Sequence, residues 1–341
     1  MRPMIWRART TGSRADSGYG SPRGSVTCLL AGVLACVGVT LGARRLDAAH
    51  VMSRIDRSAE QPSPRWAAIA RALGREGHVE DGYYRVTFPR SDLTVHIGEQ
   101  TLAPAFEMTS YFAFAPANGG RVLCMGELVL RDTEVHSVME EARRQGVDIP
   151  ALHNHLIGQS PPILYIHVMA IGEPAAIGQK LRHLLERTGT PLGPAPKQEQ
   201  GPASTWAAVS SVLGQPEEVA RETAEWVFRR RDRITEGGVA VKSTGALETA
   251  SEVVFQQLAR GRVATTGELF LAPDEITPVT DALEAGGIGV TAIHHHMVHE
   301  TPRLYWLHWY ATGDAAALAR TIRTAIAHTN SIARRAGEKE K

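Results

Sequence analysis

Six histidines stand in two identically spaced triplets, and imidazoles in such a pattern suit two kinds of chemistry: holding a divalent metal or moving protons. His153, His155 and His167 form the first triplet; His294, His296 and His308 form the second, each offset from its counterpart by 141 residues. Each triplet follows a Gly-Glu-Leu, at 126–128 and 267–269, so Glu127 and Glu268 are also in register. Residues 126–172 align with 267–313 without a gap and match at 14 of 47 positions, the three histidines among them. Strands and helices can drift after a duplication; imidazoles kept in register point to a role of their own.

Along a strand the side chains alternate, so His153 and His155 share a face about 7 Å apart. If the next strand returns in hairpin register, His153 lies opposite His167 and His155 opposite Tyr165, with facing Cβ atoms about 5 Å apart. Such a triangle brings three nitrogens to roughly 2.1 Å from one zinc or another divalent transition metal. Glu127 and Glu268 can then serve as a fourth ligand, as a carboxylate orienting an imidazole, or as a base beside a metal-activated water. Three histidines with an open position would suit metal-assisted hydrolysis; a closed fourth ligand would read as structural. Two further readings stand beside the metal: a buried polar network tying the hairpin together, and a metal-free acid–base or ligand site. The central residues, Asn154 and His295, differ and point to the opposite face. His299 and Glu300 occur only in the second copy's loop.

Positioning these side chains needs two copies of one domain. Trp66-Ala67-Ala68 recurs as Trp206-Ala207-Ala208, and Phe88, Arg90 and Asp92 recur as Phe228, Arg230 and Asp232, at an offset of 140. One inserted residue between 92 and 110 then gives 141. The copies span 60–188 and 204–330, joined by a Pro- and Gly-rich linker at 189–203 and followed by a polar tail at 331–341. Within a copy, Trp66, Ile69 and Leu73 mark a short helix, and the runs 83–88, 93–97 and 111–114 read as strands. The stretch 121–130 is a strand that turns into a helix ending at Gly146; its counterpart helix runs from Pro273 to Gly286. The strand bearing the histidine pair, a second strand ending near Ala170 and a last helix complete a β-α-β-β-α core. The expectation is an α+β fold: two tandem domains, each an antiparallel sheet backed by helices, packing on each other.

Composition narrows the function further. At 341 residues, with 43% hydrophobic and 21% charged, the chain is globular. The net charge of +1 divides unevenly. Residues 1–50 hold seven Arg and two acids, giving +5, so the rest carries about −4. A mildly acidic body disfavours nucleic acid as a partner. Arg2, Arg7, Arg9, Arg14 and Arg23 precede an uncharged apolar run at 25–43, the pattern of a signal peptide or uncleaved N-terminal anchor over 1–50. The expected localisation is therefore exported: periplasmic, cell-envelope or extracellular, touching a membrane only through that segment. Val33-Leu34-Ala35-Cys36 loosely resembles a lipobox. Cys124 is left as the body's single cysteine, which excludes an internal disulfide there and suits a buried inert thiol. Arg90 with Asp92, and Arg230 with Asp232, read as ion pairs. Trp66 and Trp206 read as helix anchors, and no nucleophile motif surrounds Ser110 or Ser251. The chain contains no glycine-rich phosphate loop, Cys-x-x-Cys or His-Glu-x-x-His.

The segments Gly-Glu-Leu, Ala-Leu-His-Asn-His, Pro-Pro-Ile-Leu-Tyr-Ile-His and Tyr-Arg-Val-Thr-Phe-Pro-Arg-Ser-Asp give the chain a resemblance to the LppY/LpqO family across about 60–330. The resemblance implies export, often with a lipid anchor, and a duplicated domain of unknown function. It assigns no reaction, and leaves the partner as an unknown small molecule or envelope component. The second copy departs from the family pattern at His295, where Asn is more typical.

Overall fold

The computed structural model describes residues 63–194 and 199–333. The export segment expected at 1–50 and the tail beyond 333 lie outside the described residues. The first copy runs α1 (Pro64–Leu73), β1 (His78–Glu80), β2 (Tyr83–Pro89), β3 (His96–Ile97), β4 (Gln100–Thr101), β5 (Thr109–Pro116), β6 (Val122–Arg131), α2 (Asp132–Gln145), β7 (Leu152–His153), β8 (Gln159–Ser160), β9 (Ile163–Gly172) and α3 (Pro174–Leu185). The second runs α4 (Ala207–Leu213), β10 (Glu218–Val219), β11 (Thr223–Arg230), β12 (Ile234–Glu236), β13 (Val239–Val241), β14 (Ser251–Gln257), β15 (Val263–Leu271), α5 (Ile276–Ala285), β16 (Gly289–His294), β17 (Glu300–Thr301), β18 (Tyr305–Gly313), α6 (Ala315–Ile326) and β19 (Ser331–Ala333).

Each copy builds one main antiparallel sheet, ordered β1-β2-β5-β6-β9-β7 and β10-β11-β14-β15-β18-β16, beside a small three-stranded one, β4-β3-β8 and β13-β12-β17, and the fold is α+β in two tandem copies. Three sequence expectations shift at their edges. The run at 93–97 contributes only β3, which leaves the main sheet to pair with β4 and β8. The helix expected from Pro273 begins at Ile276, after a turn over 272–275 in which the Glu275 N–H donates to Ala272 O at 3.0 Å. Residues 331–333, expected in the tail, form β19 against β11.

The strands at the centre explain the packing. Nine of the ten residues of β6 are buried, all but Arg131, and so is every residue of β15, as in a strand covered on both faces. On one face Phe112, Phe114, Leu128, Leu130 and Val168 meet the helices through Trp66, Ile69 and Leu181. On the other, Tyr111, Met125 and Met169 meet Phe270, Leu304 and Trp306 of the second copy. The layers therefore run helix, sheet, sheet, helix, with the copies face to face. Polar contacts fix the seam: Arg85 pairs with Glu248 at 2.9 Å, and the Gln256 amide donates to Thr101 O at 2.8 Å and accepts from Ala103 N at 2.9 Å.

The glycines of the two Gly-Glu-Leu motifs are sterically required. A Cβ on Gly126 would sit 2.7 Å from Tyr111 O, and one on Gly267, at φ +147°, 2.1 Å from Glu252 O. The Gly267→Ala variant is expected to lose about 1–3 kcal/mol of stability through this overpacking. Urea unfolding at neutral pH checks it, and an unchanged midpoint would count against the packing described.

Candidate metal centre

The face turned toward the other copy carries the histidines. Glu127 on β6 pairs in register with His167 on β9, and Glu268 on β15 with His308 on β18. The edge strand β7 sets His153 opposite Tyr165, and the His167 N–H donates to Ala151 O at 3.0 Å. This corrects the expected hairpin register by two residues: Ala151, not His153, faces His167, and His155 lies beyond the end of β7. A one-residue irregularity lies upstream in both copies, where Asp148 bridges Met169 and the second copy shifts between Val290 and Ala292. Residues 154–162 also leave the hairpin to form β8, so no tight turn sets the register.

All eight predicted site residues come together, but as one cluster across the copies instead of two separate ones. His153 stacks on His294 with ring centroids 3.5 Å apart, His155 on His308 at 3.9 Å, and His167 on His296 at 3.6 Å. Because 153 corresponds to 294, 155 to 296 and 167 to 308, these contacts are reciprocal, as about a local two-fold axis between His153 and His294. Tyr165 backs His155 at 3.6 Å, and its counterpart Trp306 backs His296 at 3.9 Å.

The carboxylates sit among the ring nitrogens. Glu127 Oε2 is 3.1 Å from His155 Nε2, 3.2 Å from His167 Nε2 and 3.7 Å from His153 Nε2. Glu268 Oε2 is 3.6 Å from His296 Nε2 and 3.8 Å from His308 Nε2. Donors about 2.1 Å from a tetrahedral ion sit roughly 3.4 Å from one another, so these separations suit a shared ion. Four donor sets fall within 4.8 Å: Glu127/His153/His167, Glu268/His296/His308, His153/His155/His294/His308 and His167/His294/His296.

Burial sets the protonation. His153, His167, His296 and His308 are held well below the ordinary imidazole range, first by burial and then by neighbouring imidazoles. His294 is pushed down to about 3 for the same reasons. These five rings are neutral, the form that binds a metal. His155 goes the other way: burial pulls it down, but the Glu127 and Glu107 carboxylates outweigh that and raise it to about 10. Burial, then Glu248, Glu252, Glu127 and Glu107, pushes the Glu268 carboxyl well up.

Glu107 is the functional candidate that sequence reasoning missed. Its Oε2 is 2.6 Å from His155 Nδ1, and its Oε1 accepts from the Thr266 hydroxyl of the other copy at 3.0 Å. Its counterpart Glu248 is engaged elsewhere, by Arg85, and both residues have left-handed backbone, φ 66° and 51°. Asn154 leaves the cluster but joins the copies, its amide donating to Thr291 O at 3.1 Å. His299 is not brought to the centre. Its N–H donates to the buried Glu236 at the rim of a separate cavity of about 260 Å³ that also touches Asp148 and Lys180. The other candidates are structural. Ser110 and Ser251 accept from Val129 N and Phe270 N, each at 2.9 Å, and Cys124 is a buried free thiol whose pKa burial pushes up.

The comparisons with known proteins bear on the repeat. No curated protein matches the chain. The solved structure of a trimeric bacterial microcompartment shell protein, PduB, is similar at 11% identity over 74% of this chain and 90% of that one, with a TM-score of 0.19, a likeness too loose to carry an argument. A family profile described as Domain of Unknown Function (DUF1259) matches twice, at 67–187 and 207–328. With most of its length so matched, the chain belongs to that family and carries its domain in duplicate.

Proposed function

We propose that this is an exported, envelope-associated protein of the LppY/LpqO type whose two domain copies jointly hold zinc or another divalent transition metal. His153, His155, His167, His294, His296 and His308 form the donor pool, with Glu127 and Glu268 as ligands or, at an open coordination position, as a base. One observation carries the reading. Seven buried side-chain atoms of the cluster lack a hydrogen-bond partner: His153 Nε2, His167 Nε2, His294 Nδ1, both nitrogens of His296, His308 Nδ1 and Glu268 Oε1. Each such atom costs about 1–3 kcal/mol unless something satisfies it. A purely structural network would satisfy its own members, whereas a metal ion satisfies several of these at once.

Side-chain exposure of 1–7% across five of the six histidines and both glutamates favours a site that retains its ion over one that turns over a bulky substrate. Metal-assisted hydrolysis remains the chemistry such a centre would offer a small molecule. Export rests on the Arg-rich start and the apolar run at 25–43. No helix among the described residues is long and apolar enough to cross a membrane. The partner is taken to be an envelope component or small molecule, and nucleic acid is disfavoured by the acidic body. Metal analysis of the purified, tag-free protein is expected to find at least one equivalent, lost in a His167→Ala/His308→Ala double variant, which removes a donor from all four sets. Less than about a tenth of an equivalent after incubation with zinc, cobalt and nickel would reject the metal.

A further inference from the structure

We infer that the centre binds two divalent transition ions at once, one on Glu127/His153/His167 and one on Glu268/His296/His308, and that the two positions differ in affinity. The inference rests on the metal reading above and extends it from a donor pool to a dinuclear site. Its basis is how the four donor sets overlap. The two all-imidazole sets both need His294, so they compete for one ring. The two sets that include a carboxylate share no residue, so filling one leaves the other intact.

Each of these sets offers two imidazoles and one carboxylate, all from a single copy, and leaves coordination positions free. Mixed nitrogen and oxygen donors suit manganese, iron, cobalt, nickel or zinc; calcium and magnesium prefer all-oxygen surroundings. One carboxylate per dication also divides the negative charge evenly. The sets meet where the His167 ring of one packs, tilted, against His296 of the other with centroids 3.6 Å apart, so the two ions would be close neighbours.

The remaining two histidines have other partners. His155 lies between Glu107 at 2.6 Å and Glu127 at 3.1 Å, where it orients the Glu127 carboxylate as a positioning residue. His294 Nε2 is 2.8 Å from His308 Nε2 and its ring lies on His153. The sets are also not images of one another: the first uses the leading histidine of its triplet, the second the middle one. That inequivalence is the ground for two affinities.

Cobalt(II) is a suitable probe, added to the metal-free, full-length protein and followed by visible absorption and by native mass spectrometry after gel filtration. The expected result is two tightly held equivalents filled in two steps. E127Q and E268Q, which keep the side-chain shape, should each hold one, with affinity for the other weakened at least about tenfold. Manganese(II) loading should give an electron paramagnetic resonance spectrum broadened by spin coupling in the native protein and resolved six-line spectra in the single variants. Circular dichroism confirms that each variant is folded, and H167A or H308A replaces one that is not. Saturation at a single equivalent that both variants weaken would overturn the two-ion inference while leaving the metal reading intact. Two equivalents retained in both variants would overturn the ligand assignment, and no bound cobalt would remove the metal reading itself.

Discussion

Without metal, the protein is expected to lose stability in acid, most steeply below about pH 4.5, the ordinary value of its buried carboxyls. His153, His167, His294, His296 and His308 have folded-state pKa values below 6.5, so in acid the unfolded chain takes up protons that the folded chain excludes. Their contribution to stability is full above pH 6.5 and is lost as the pH falls below it, toward about 3 for His294. Each such group changes stability by up to about 1.4 kcal/mol per pH unit. The Glu225, Glu248, Glu252 and Glu268 carboxyls, raised by burial above their ordinary value of 4.5, act the other way down to that pH and offset most of the imidazole loss, which is fully felt only below it. His155 acts in the opposite sense to the other rings: its raised pKa stabilises below 6.5 and is lost as the pH climbs toward about 10. A bound ion occupies the neutral nitrogens, so loading should move the acid limb to lower pH. Urea titrations with chelator, followed by circular dichroism at about pH 5.5, 4.5 and 3.5, measure the slope. A free energy of unfolding that stays flat from about pH 4.5 to 3.5 would show that the rings are not buried neutral.

Replacing Arg90 by Ala is expected to cost about 3 kcal/mol, because the buried Glu134 carboxylate loses its buried ion-pair partner and keeps only the exposed Arg131 and backbone donors. The Arg90 guanidinium has no exposed side-chain surface and binds Glu134 at 2.9 Å and Asp92 at 2.9 Å. Arg230 does the same in the second copy, with Asp232 at 2.8 Å and Glu275 through both of its terminal nitrogens, and its loss should cost a similar amount. Both arginines tie the strand before the long connection to the start of the helix after the Gly-Glu-Leu strand. The exposed pair Arg221–Glu199, at 72% and 71%, provides the control, since its removal should change stability by less than about 1 kcal/mol. Chemical unfolding of the three variants would refute the distinction if all fell together.

The repeat, the α+β class and the histidines were legible because each leaves a local trace: spacing, alternation, or a recurring triplet. Register was not, since β7 ends at His153 and residues 154–162 leave the hairpin to form β8, so no tight turn fixes the pairing. The face-to-face packing was only half visible. The apolar residues of β15 on both faces, Val263, Ala264, Leu269, Phe270 and Leu271, announce a second cover for the sheet, but not that the cover is the other copy. Glu107 had a trace that went unread: Glu248 stands at the same offset of 141, in a segment just past the single-residue insertion. Nothing local ties it to His155, 48 positions away, until the chain folds.

The stacking of His153 on His294 bears on how such a chain could arise. A lone copy with this surface could close the cluster only by meeting a second molecule, its leading histidine against the same histidine of its twin. Fusing the pair end to end makes that encounter independent of concentration. It also frees each half to vary alone, which a symmetric homodimer cannot do, and the divergence of Asn154 from His295 and of Glu107's role from Glu248's is what that freedom permits.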